Sequence, residues 1–419
     1  MSWVSGHPRT RTAPAVAALR WVGTRLAGRE SALRQADWLL FAAVLALSLV
    51  GTLVIWSATE PTLTQQGLNP HAFLLKQLLN IALGLILMLV VSSLDARQLR
   101  LWAPILYIAS CVGLVAVLTP LGAIVNGAKS WISIGAGFQI EPSEFAKLSV
   151  IVITAMLLSD VRHGQTRPTA KSVGLAITVA AVPILLVVAE PDLGVTIVLV
   201  LLLVGLIALA GVRLRWLAGL LGAAVVTVVA VTQLHLLKAY QVSRLTSFAN
   251  PSADPRGTGY SAAQAKIAIG SGGMHGTGLF HSQLVAGSFV PEQHTDFIFA
   301  VVGNELGFVG SCIVLALLGL LLFCALRIAT KAEDQFGTLV ASGIAIWFAV
   351  QAFVNIGMNI GIMPVTGLPL PFVSYGGSAM FADMMAIGLL QSVRRRRCVF
   401  TDQLTPGANR MNMVLARRP

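Results

Sequence analysis

The chain has 419 residues, of which 56% are hydrophobic and 11% are charged. Soluble globular domains carry about 25% charged residues, so this composition excludes a soluble protein with a charged shell. Uncharged runs recur at about the 20 residues that a helix needs to cross a bilayer. A transmembrane β-barrel is excluded because its strands alternate in polarity over about ten residues, whereas Leu306 to Leu326 contains no charge. The sequence therefore predicts an all-α polytopic membrane protein.

The formal net charge is +12, but the basic residues are spread over short connections and the two ends of the chain. A nucleic-acid-binding protein would concentrate them in one patch, so no nucleic-acid partner is predicted. The four cysteines lie in apolar runs or just after the last one, and none forms a Cys-x-x-Cys pair. This pattern argues against a disulfide framework and a thiolate metal site.

Residues 1–36 contain six arginines and one acid, which predicts a retained cytoplasmic basic arm. Its segment 13–26 is either an amphipathic helix on the inner leaflet or a disordered tail. Residues 37–395 are the predicted transmembrane domain, followed by a cytoplasmic basic tail at 396–419. Ten apolar runs of spanning length predict ten transmembrane helices: 37–57, 72–94, 98–119, 142–160, 172–189, 192–210, 214–233, 300–327, 335–358 and 374–393.

The orientation of these helices follows from the basic residues. With the N-terminus placed inside, 22 of the 29 Lys and Arg residues fall in inside segments and five in outside segments. Cytoplasmic loops of membrane proteins carry an excess of Lys and Arg. Both termini are therefore predicted to be cytoplasmic.

Three predicted outside segments are too long or too irregular to be simple connections. They are 120–141, 359–373 with three prolines, and 234–295, the large extracytoplasmic loop between helices 7 and 8. Loops longer than about 12–15 residues are usually functional or disordered. Apolar residues recur in all three, so we expect them to fold over the outer ends of the helices.

Ionisable residues inside spanning segments are functional candidates. Glu144 and Lys147 are three positions apart near the start of the fourth helix, which places them on one face. They are either a charged pair facing a cavity, with the lysine available to an anionic ligand, or a buried structural ion pair. Pro142 suits the helix start and Ser143 suits its cap.

Two further acidic positions lie beside predicted helix starts. Asp192, in the turn after Glu190, either caps the following helix or contributes to a site. Asp296 either caps the eighth helix or acts as a general base with a pKa tuned by burial, beside Glu292 and His294. Asp296 is also a candidate ligand for a divalent cation.

Glycines crowd the segment 257–287. They either form tight turns or allow close approach of the backbone to a ligand. No Walker pattern is present in the sequence, so no nucleotide cofactor is predicted.

Several motifs, in order, resemble the SEDS family (shape, elongation, division and sporulation), which contains the RodA and FtsW peptidoglycan glycosyltransferases. The resemblance covers residues 37 to 395, and the blocks AIGSGGMHGTGL and NIGM are more similar to the RodA branch than to FtsW. The motifs are NGAKSWI at 126–132, PSEFAKL at 142–148, EPDLG at 190–194, PEQHTDFIFAVVGNELG at 291–307 and PVTGLPLPFVSYGGSA at 364–379.

The resemblance implies a multi-pass protein of the bacterial cytoplasmic membrane that polymerises lipid II into glycan strands at the outer face during cell elongation. It implies undecaprenyl pyrophosphate as the product and a class B penicillin-binding protein, a transpeptidase, as the partner. The alternatives are a lipid II flippase or transporter, a non-catalytic scaffold, and a division-type polymerase similar to FtsW.

By the same motifs the family's essential aspartate falls on Asp296. In an inverting transfer, we expect Asp296 to take the proton of the acceptor hydroxyl, and a divalent ion, Mg²⁺ or Mn²⁺, is the expected cofactor. Cationic side chains would stabilise the pyrophosphate leaving group. The residues predicted to bind substrate are Glu144, Lys147, Lys129, Asp192, Arg244, Glu292, His294 and Ser374.

This sequence departs from the family pattern at Glu141, Asn304, His281 and Asp383, which leaves substrate contacts and local charge open. Asp383 puts an acid into the last predicted helix. An unpaired acid at that depth is costly, so we expect it to face a polar cavity or a helix partner rather than lipid.

Overall fold

The computed structural model describes residues 36–125, 128–135, 138–160, 168–233, 239–249, 257–287 and 289–404. The predicted arm, up to residue 35, and the tail beyond residue 404 lie outside the described residues. The elements are α1 Trp38–Gln65, α2 Ala72–Ser92, α3 Ala96–Leu118, β1 Gly122–Val125, β2 Ala128–Gly135, β3 Phe138–Ile140, α4 Pro142–Ser159, α5 Ala170–Ala189, α6 Leu193–Leu209, α7 Leu214–Gln233, α8 Ala239–Ala249, α9 Thr258–Ser271, α10 Gln283–Ala286, α11 Ile298–Glu305, α12 Gly307–Thr330, α13 Gln335–Ile360 and α14 Gly377–Leu404.

Each of the ten predicted apolar runs contains a helix. Seven helices in the described part are long and apolar enough to cross a membrane, namely α1 to α5, α12 and α13. The helix α6 and the apolar part of α7 are shorter. The chain is thus a multi-pass membrane protein, while the count of ten crossings stays a prediction.

Short polar residues fix where several helices begin. The side chains of Asp37, Thr169, Asp192 and Asp334 each accept a hydrogen bond from the amide three residues later, which is the standard N-cap interaction. The predicted cap of α4 was wrong by two residues. Glu141 is the N-cap, Pro142 is the first helical residue, and the Ser143 hydroxyl donates to the Glu141 carboxylate.

The prediction of an all-α protein was also incomplete. Strands β1, β2 and β3 form an antiparallel sheet in that order within the predicted outside segment 120–141. The strands are only three to eight residues long and include Gly and polar residues. The sequence of this segment therefore shows no clear strand pattern.

The predicted eighth helix is two helices, α11 and α12, which meet at Gly307 with φ of 68°. The glycine-rich loop 272–278 packs on this break, and its amides at Thr277 and Gly278 donate to the carbonyls of Asn304 and Glu305. The glycines therefore allow this loop to pack closely on the backbone of the α11–α12 break, and the close approach of a ligand stays a prediction.

The helices connect two ends of the bundle. At one, which we call the basic end, Asp37 pairs with Arg327 and Arg394, and Arg395 pairs with Asp95. At the other, the loop end, lie the small sheet, α8 to α10 and the segment that precedes α11. The helices α4 and α13 are the most buried of the spanning helices and pack against each other in the centre.

Candidate active site

A loop between α13 and α14, residues 362–376, enters the helix bundle from the loop end. Its residues Leu368, Leu370, Phe372 and Val373 are buried. A Cβ atom added to Gly51, in the middle of α1, would lie 2.5 Å from the Val373 carbonyl oxygen, so the loop reaches deep between the helices. We call it the inner loop.

Asp296 lies beside the inner loop, just before α11. The residue that caps α11 is Phe297, not Asp296, so the capping interpretation of Asp296 was wrong. Its main-chain carbonyl accepts hydrogen bonds from Asn355 Nδ2 at 2.8 Å and Asn359 Nδ2 at 3.2 Å. Its carboxylate faces Gly367, where an added Cβ would lie 3.6 Å from Asp296 Oδ2.

Arg244 of α8 approaches the same glycine from another side. Its Nη1 donates to the Thr366 carbonyl at 3.0 Å and would lie 3.8 Å from a Cβ on Gly367. Gly367 has φ of 80°, a conformation that glycine adopts at little cost. A side chain here would be strained by this φ, and its Cβ would be in van der Waals contact with both the carboxylate and the guanidinium.

The surroundings of Asp296 hold its pKa at about 7, well above the usual value for an aspartate. Burial is the main cause, and the negative charges of Glu292 and Asp192 act in the same direction, while Arg244 opposes them. A carboxyl with a pKa near neutrality is poised to take up and release a proton at working pH.

Asp192 belongs to the same group of charges. Its carboxylate caps α6 by accepting from the Val195 amide at 3.0 Å, so the capping interpretation is correct. Burial raises its pKa, and Glu144 raises it further while Arg244 lowers it. Its predicted contact with substrate stays a prediction.

Glu144 and Lys147 form a buried ion pair. Lys147 Nζ lies 2.7 Å from Glu144 Oε2, and neither side chain is more than 2% exposed. The lysine also donates to Gln351 Oε1 at 2.8 Å and lies 4.8 Å from the centroid of the Trp347 ring. Within this structure the pair faces helix α13 rather than an open cavity, and its substrate-binding role stays a prediction.

His294 packs in an aromatic cluster. Its ring centroid lies 5.0 Å from that of Phe73 and 5.8 Å from that of Tyr375. Burial lowers the pKa of His294, although Glu292 acts against this, and the neutral form of the imidazole is thereby favoured. Its carbonyl accepts from the Tyr375 amide, which fastens this segment to the inner loop.

The remaining predicted substrate ligands differ in their surroundings. Ser374 is buried, and its hydroxyl donates to the Thr295 carbonyl at 2.6 Å and accepts from the Leu370 amide at 2.7 Å. Glu292 is exposed and accepts from the Thr295 hydroxyl. Lys129 lies in β2, and its side chain is outside the described part of the chain.

Asp383 of α14 is 1% exposed, and its carboxylate lies near the Phe372 amide of the inner loop. The prediction that it faces a partner rather than lipid is confirmed.

Among the described residues, no group of three His, Cys, Asp or Glu side chains is placed to hold a metal ion. The divalent cation at Asp296 stays a prediction, and we derive no step from it.

The amide side chains of α13 were not predicted as site residues from the sequence. Gln351, Asn355 and Asn359 are completely buried and hydrogen-bonded to the inner loop, to Lys147 or to Asp296. The signal was available, because Trp347 and these three residues recur every fourth position in an otherwise apolar helix, and such residues share one face.

Comparison with known proteins assigns the family. The model of the FtsW/RodA/SpoVE cell cycle proteins matches residues 37–398. This chain belongs to that family. It is 40% identical over 361 residues to the peptidoglycan glycosyltransferase MrdB of Escherichia coli K12, a match that covers 84% of this chain and 92% of MrdB.

Solved structures agree with the family assignment. One chain, from work on the structural coordination of polymerization and crosslinking by a peptidoglycan synthase complex, has a TM-score of 0.72 and 31% identity, covering 86% of this chain and 98% of that one. The rod shape determining protein RodA of Thermus thermophilus has a TM-score of 0.62 and 28% identity, covering 86% of this chain and 97% of RodA.

Proposed function

We propose that the chain is a peptidoglycan glycosyltransferase that polymerises lipid II into glycan strands during cell elongation. The observation that carries this proposal is the position of Asp296, whose pKa is about 7, beside Arg244 at the mouth of the inner loop. Family membership and 40% identity to MrdB support the activity.

The proposed reaction inverts the anomeric carbon of an α-linked pyrophosphate donor. The acceptor 4-hydroxyl attacks this carbon, and its proton moves to the Asp296 carboxylate. The bond from the carbon to the pyrophosphate oxygen breaks, and undecaprenyl pyrophosphate leaves with the bonding electrons. The Arg244 guanidinium, partly exposed beside Asp296, is placed to stabilise the charge that develops on the leaving group.

The proposed topology puts the loop end outside and the basic end in the cytoplasm. The distribution of Lys and Arg supports this orientation. In the proposed orientation, Asp296 lies at the outer face of the membrane, where lipid II would be polymerised. The proposed partner is a class B penicillin-binding protein, which would crosslink the strands. The structural neighbour from a peptidoglycan synthase complex supports this assembly.

Polymerisation by Asp296→Asn tests the function. The substitution preserves size but removes basicity, and loss of a general base typically costs about 100- to 10,000-fold in rate. Purified, partner-bound protein is incubated with labelled lipid II, and glycan polymer and lipid II binding are measured in parallel. Asp160→Asn, an exposed aspartate at the basic end, is the matched control and should polymerise normally.

The outcome separates the alternatives. If Asp296→Asn binds lipid II and makes no polymer, the scaffold hypothesis loses its support. If it polymerises at the unaltered rate, Asp296 is not the base and the mechanism is wrong. Movement of lipid II across vesicles that survives in this variant would instead favour the transporter.

Dependence on Mg²⁺ or Mn²⁺ stays a prediction without a described set of ligands. Chelation with EDTA before the same assay measures it, and restoration of polymer by one added cation would establish it.

A further inference from the structure

Three amide side chains connect the buried ion pair of α4 with the segment that carries Asp296. Gln351, Asn355 and Asn359 are spaced four positions apart on α13, and all three are 0% exposed. Four residues advance a helix by about 6 Å, so Gln351 and Asn359 are about 12 Å apart along the axis. We call these three residues the amide stripe.

Gln351 contacts the ion pair and the inner loop together. Its Oε1 accepts from Lys147 Nζ at 2.8 Å and from Trp347 Nε1 at 2.7 Å, while its Nε2 donates to the Pro369 carbonyl at 2.9 Å. Two donors at the oxygen and one acceptor at the nitrogen fix the orientation of this amide.

Asn355 and Asn359 hold the other end of the stripe. Asn355 Nδ2 donates to the Leu368 carbonyl at 2.7 Å and to the Asp296 carbonyl at 2.8 Å. Asn359 Nδ2 donates to the Asp296 carbonyl as well, while its Oδ1 accepts from the Ala300 amide at 3.1 Å. The backbone of Asp296 and the first turn of α11 are thus fixed to the same helix as the inner loop.

From this connection we infer that the amide stripe consists of positioning residues, which set the Asp296 carboxylate relative to the inner loop and to the Glu144–Lys147 pair. The inner loop is irregular and contains three prolines, so its buried carbonyls need donors from elsewhere. The stripe supplies them from one rigid helix. This inference rests on the proposed role of Asp296 and adds residues that act through it.

The inference predicts a defect in turnover rather than in binding. Displacement of a reacting group by about 1 Å can cost about 100-fold in rate. Gln351→Met and Asn355→Leu remove the amides and retain similar side-chain volume. We expect each to lower kcat for lipid II polymerisation by about 10- to 100-fold, with less than about a threefold change in KM.

A matched control is available at the basic end. Gln391 of α14 is also buried, and its side-chain amide forms two hydrogen bonds with the backbone of Asp37. Its Oε1 accepts from the Asp37 amide at 2.8 Å, and its Nε2 donates to the Asp37 carbonyl at 3.2 Å. Gln391→Met loses the same kind of interaction far from Asp296. It should lower the thermal midpoint as the stripe variants do, without their loss of kcat.

Hydrogen exchange measured by mass spectrometry supplies a readout that does not depend on activity. In the full-length protein, Gln351→Met and Asn355→Leu should accelerate exchange across 362–376 and around 296–300, and Gln391→Met should not. If Gln351→Met does not fold, Gln351→Glu replaces it. This variant keeps the acceptor for Lys147 and Trp347 but loses the amide hydrogens that face Pro369.

Each result decides the matter. Faster exchange in the inner loop together with reduced kcat supports the positioning role. Unchanged hydrogen exchange in the inner loop overturns the positioning role, regardless of the activity of Asp296→Asn. Faster exchange with unchanged kcat overturns it also, as does an equal fall in kcat for Gln391→Met. Failure of the proposed function is read separately, from an Asp296→Asn variant that remains active.

Discussion

At the scale of single residues, the environment of Asp296 determines what its carboxylate can do. Burial raises its pKa to about 7, two neighbouring acids raise it and one arginine lowers it. The residues Glu292 and Arg244 therefore act on the same carboxylate in opposite directions. This opposition makes the acid limb of the pH–rate profile a direct test of the site.

We expect polymerisation to require ionised Asp296, so the rate should fall as the pH drops through about 7. Glu292→Gln removes a negative charge that raises this pKa, and it should shift the acid limb to lower pH. Arg244→Gln removes a positive charge that lowers it, and it should shift the limb to higher pH. The measurement is kcat/KM for lipid II between pH 5 and about 9.

Glu333→Gln is the control for these profiles, because Glu333 is exposed at the basic end. Its profile should overlay that of the unaltered protein. Shifts of the same sign for Glu292→Gln and Arg244→Gln would contradict the assignment of the limb to Asp296.

At the scale of elements, two backbone segments pack closely on others because glycine allows it. The inner loop packs on Gly51 of α1, where an added Cβ would lie 2.5 Å from the Val373 carbonyl oxygen, and the loop 272–278 needs Gly276 against the break between α11 and α12. Gly276 has φ of 80°, and an added Cβ would lie 2.1 Å from the Glu305 carbonyl oxygen. The neighbour Gly273 has φ of 58° but nothing within 4 Å of such an atom.

Gly276→Ala should therefore destabilise the protein more than Gly273→Ala. Both pay the cost of a left-handed conformation, about 1–2 kcal/mol, but only Gly276→Ala must also displace backbone of the α11–α12 break. The thermal midpoint of the detergent-purified protein measures the difference. Equal midpoints for the two variants would mean that the loop is not packed as described.

At the scale of the whole molecule, ionic contacts join distant parts of the chain at the basic end. Asp37 is 2% exposed and pairs with Arg327 of α12 and Arg394 of α14. Burial works against ionisation of Asp37, but hydrogen bonds and the two arginines lower its pKa overall. The start of α1 is thereby fixed to two helices from the second half of the chain.

Asp37→Asn should lower stability by about 1.5–3 kcal/mol, because a hydrogen bond to a charged group contributes about this much while asparagine still caps the helix. Asp334→Asn is the matched control. Asp334 is likewise an N-cap, but its pair with Arg100 is exposed and should contribute about 0–1 kcal/mol. Thermal unfolding in detergent compares them, and an equal loss for both would refute the role of Asp37.

The sequence by itself determined the class of the protein and the positions of its apolar helices. A bilayer requires continuous apolar helices. The positions of such helices can therefore be predicted from local composition, without knowledge of how the helices pack. Asp296 was also predicted as a site residue without coordinates, from the family motif, and Arg244 from the need for a cation at the leaving group; the structure brings both beside Gly367.

Only the tertiary structure decided which polar groups meet. The sheet within 120–141 is made of strands too short for a clear pattern, and the break at Gly307 lies inside a single predicted spanning segment, 300–327. The enclosure of Lys147 by Gln351 and Trp347, and the bonds from Asn355 and Asn359 to Asp296, join segments between 59 and 204 residues apart. Such contacts depend on how helices pack, and a local pattern carries no information on the distance between segments remote in the chain.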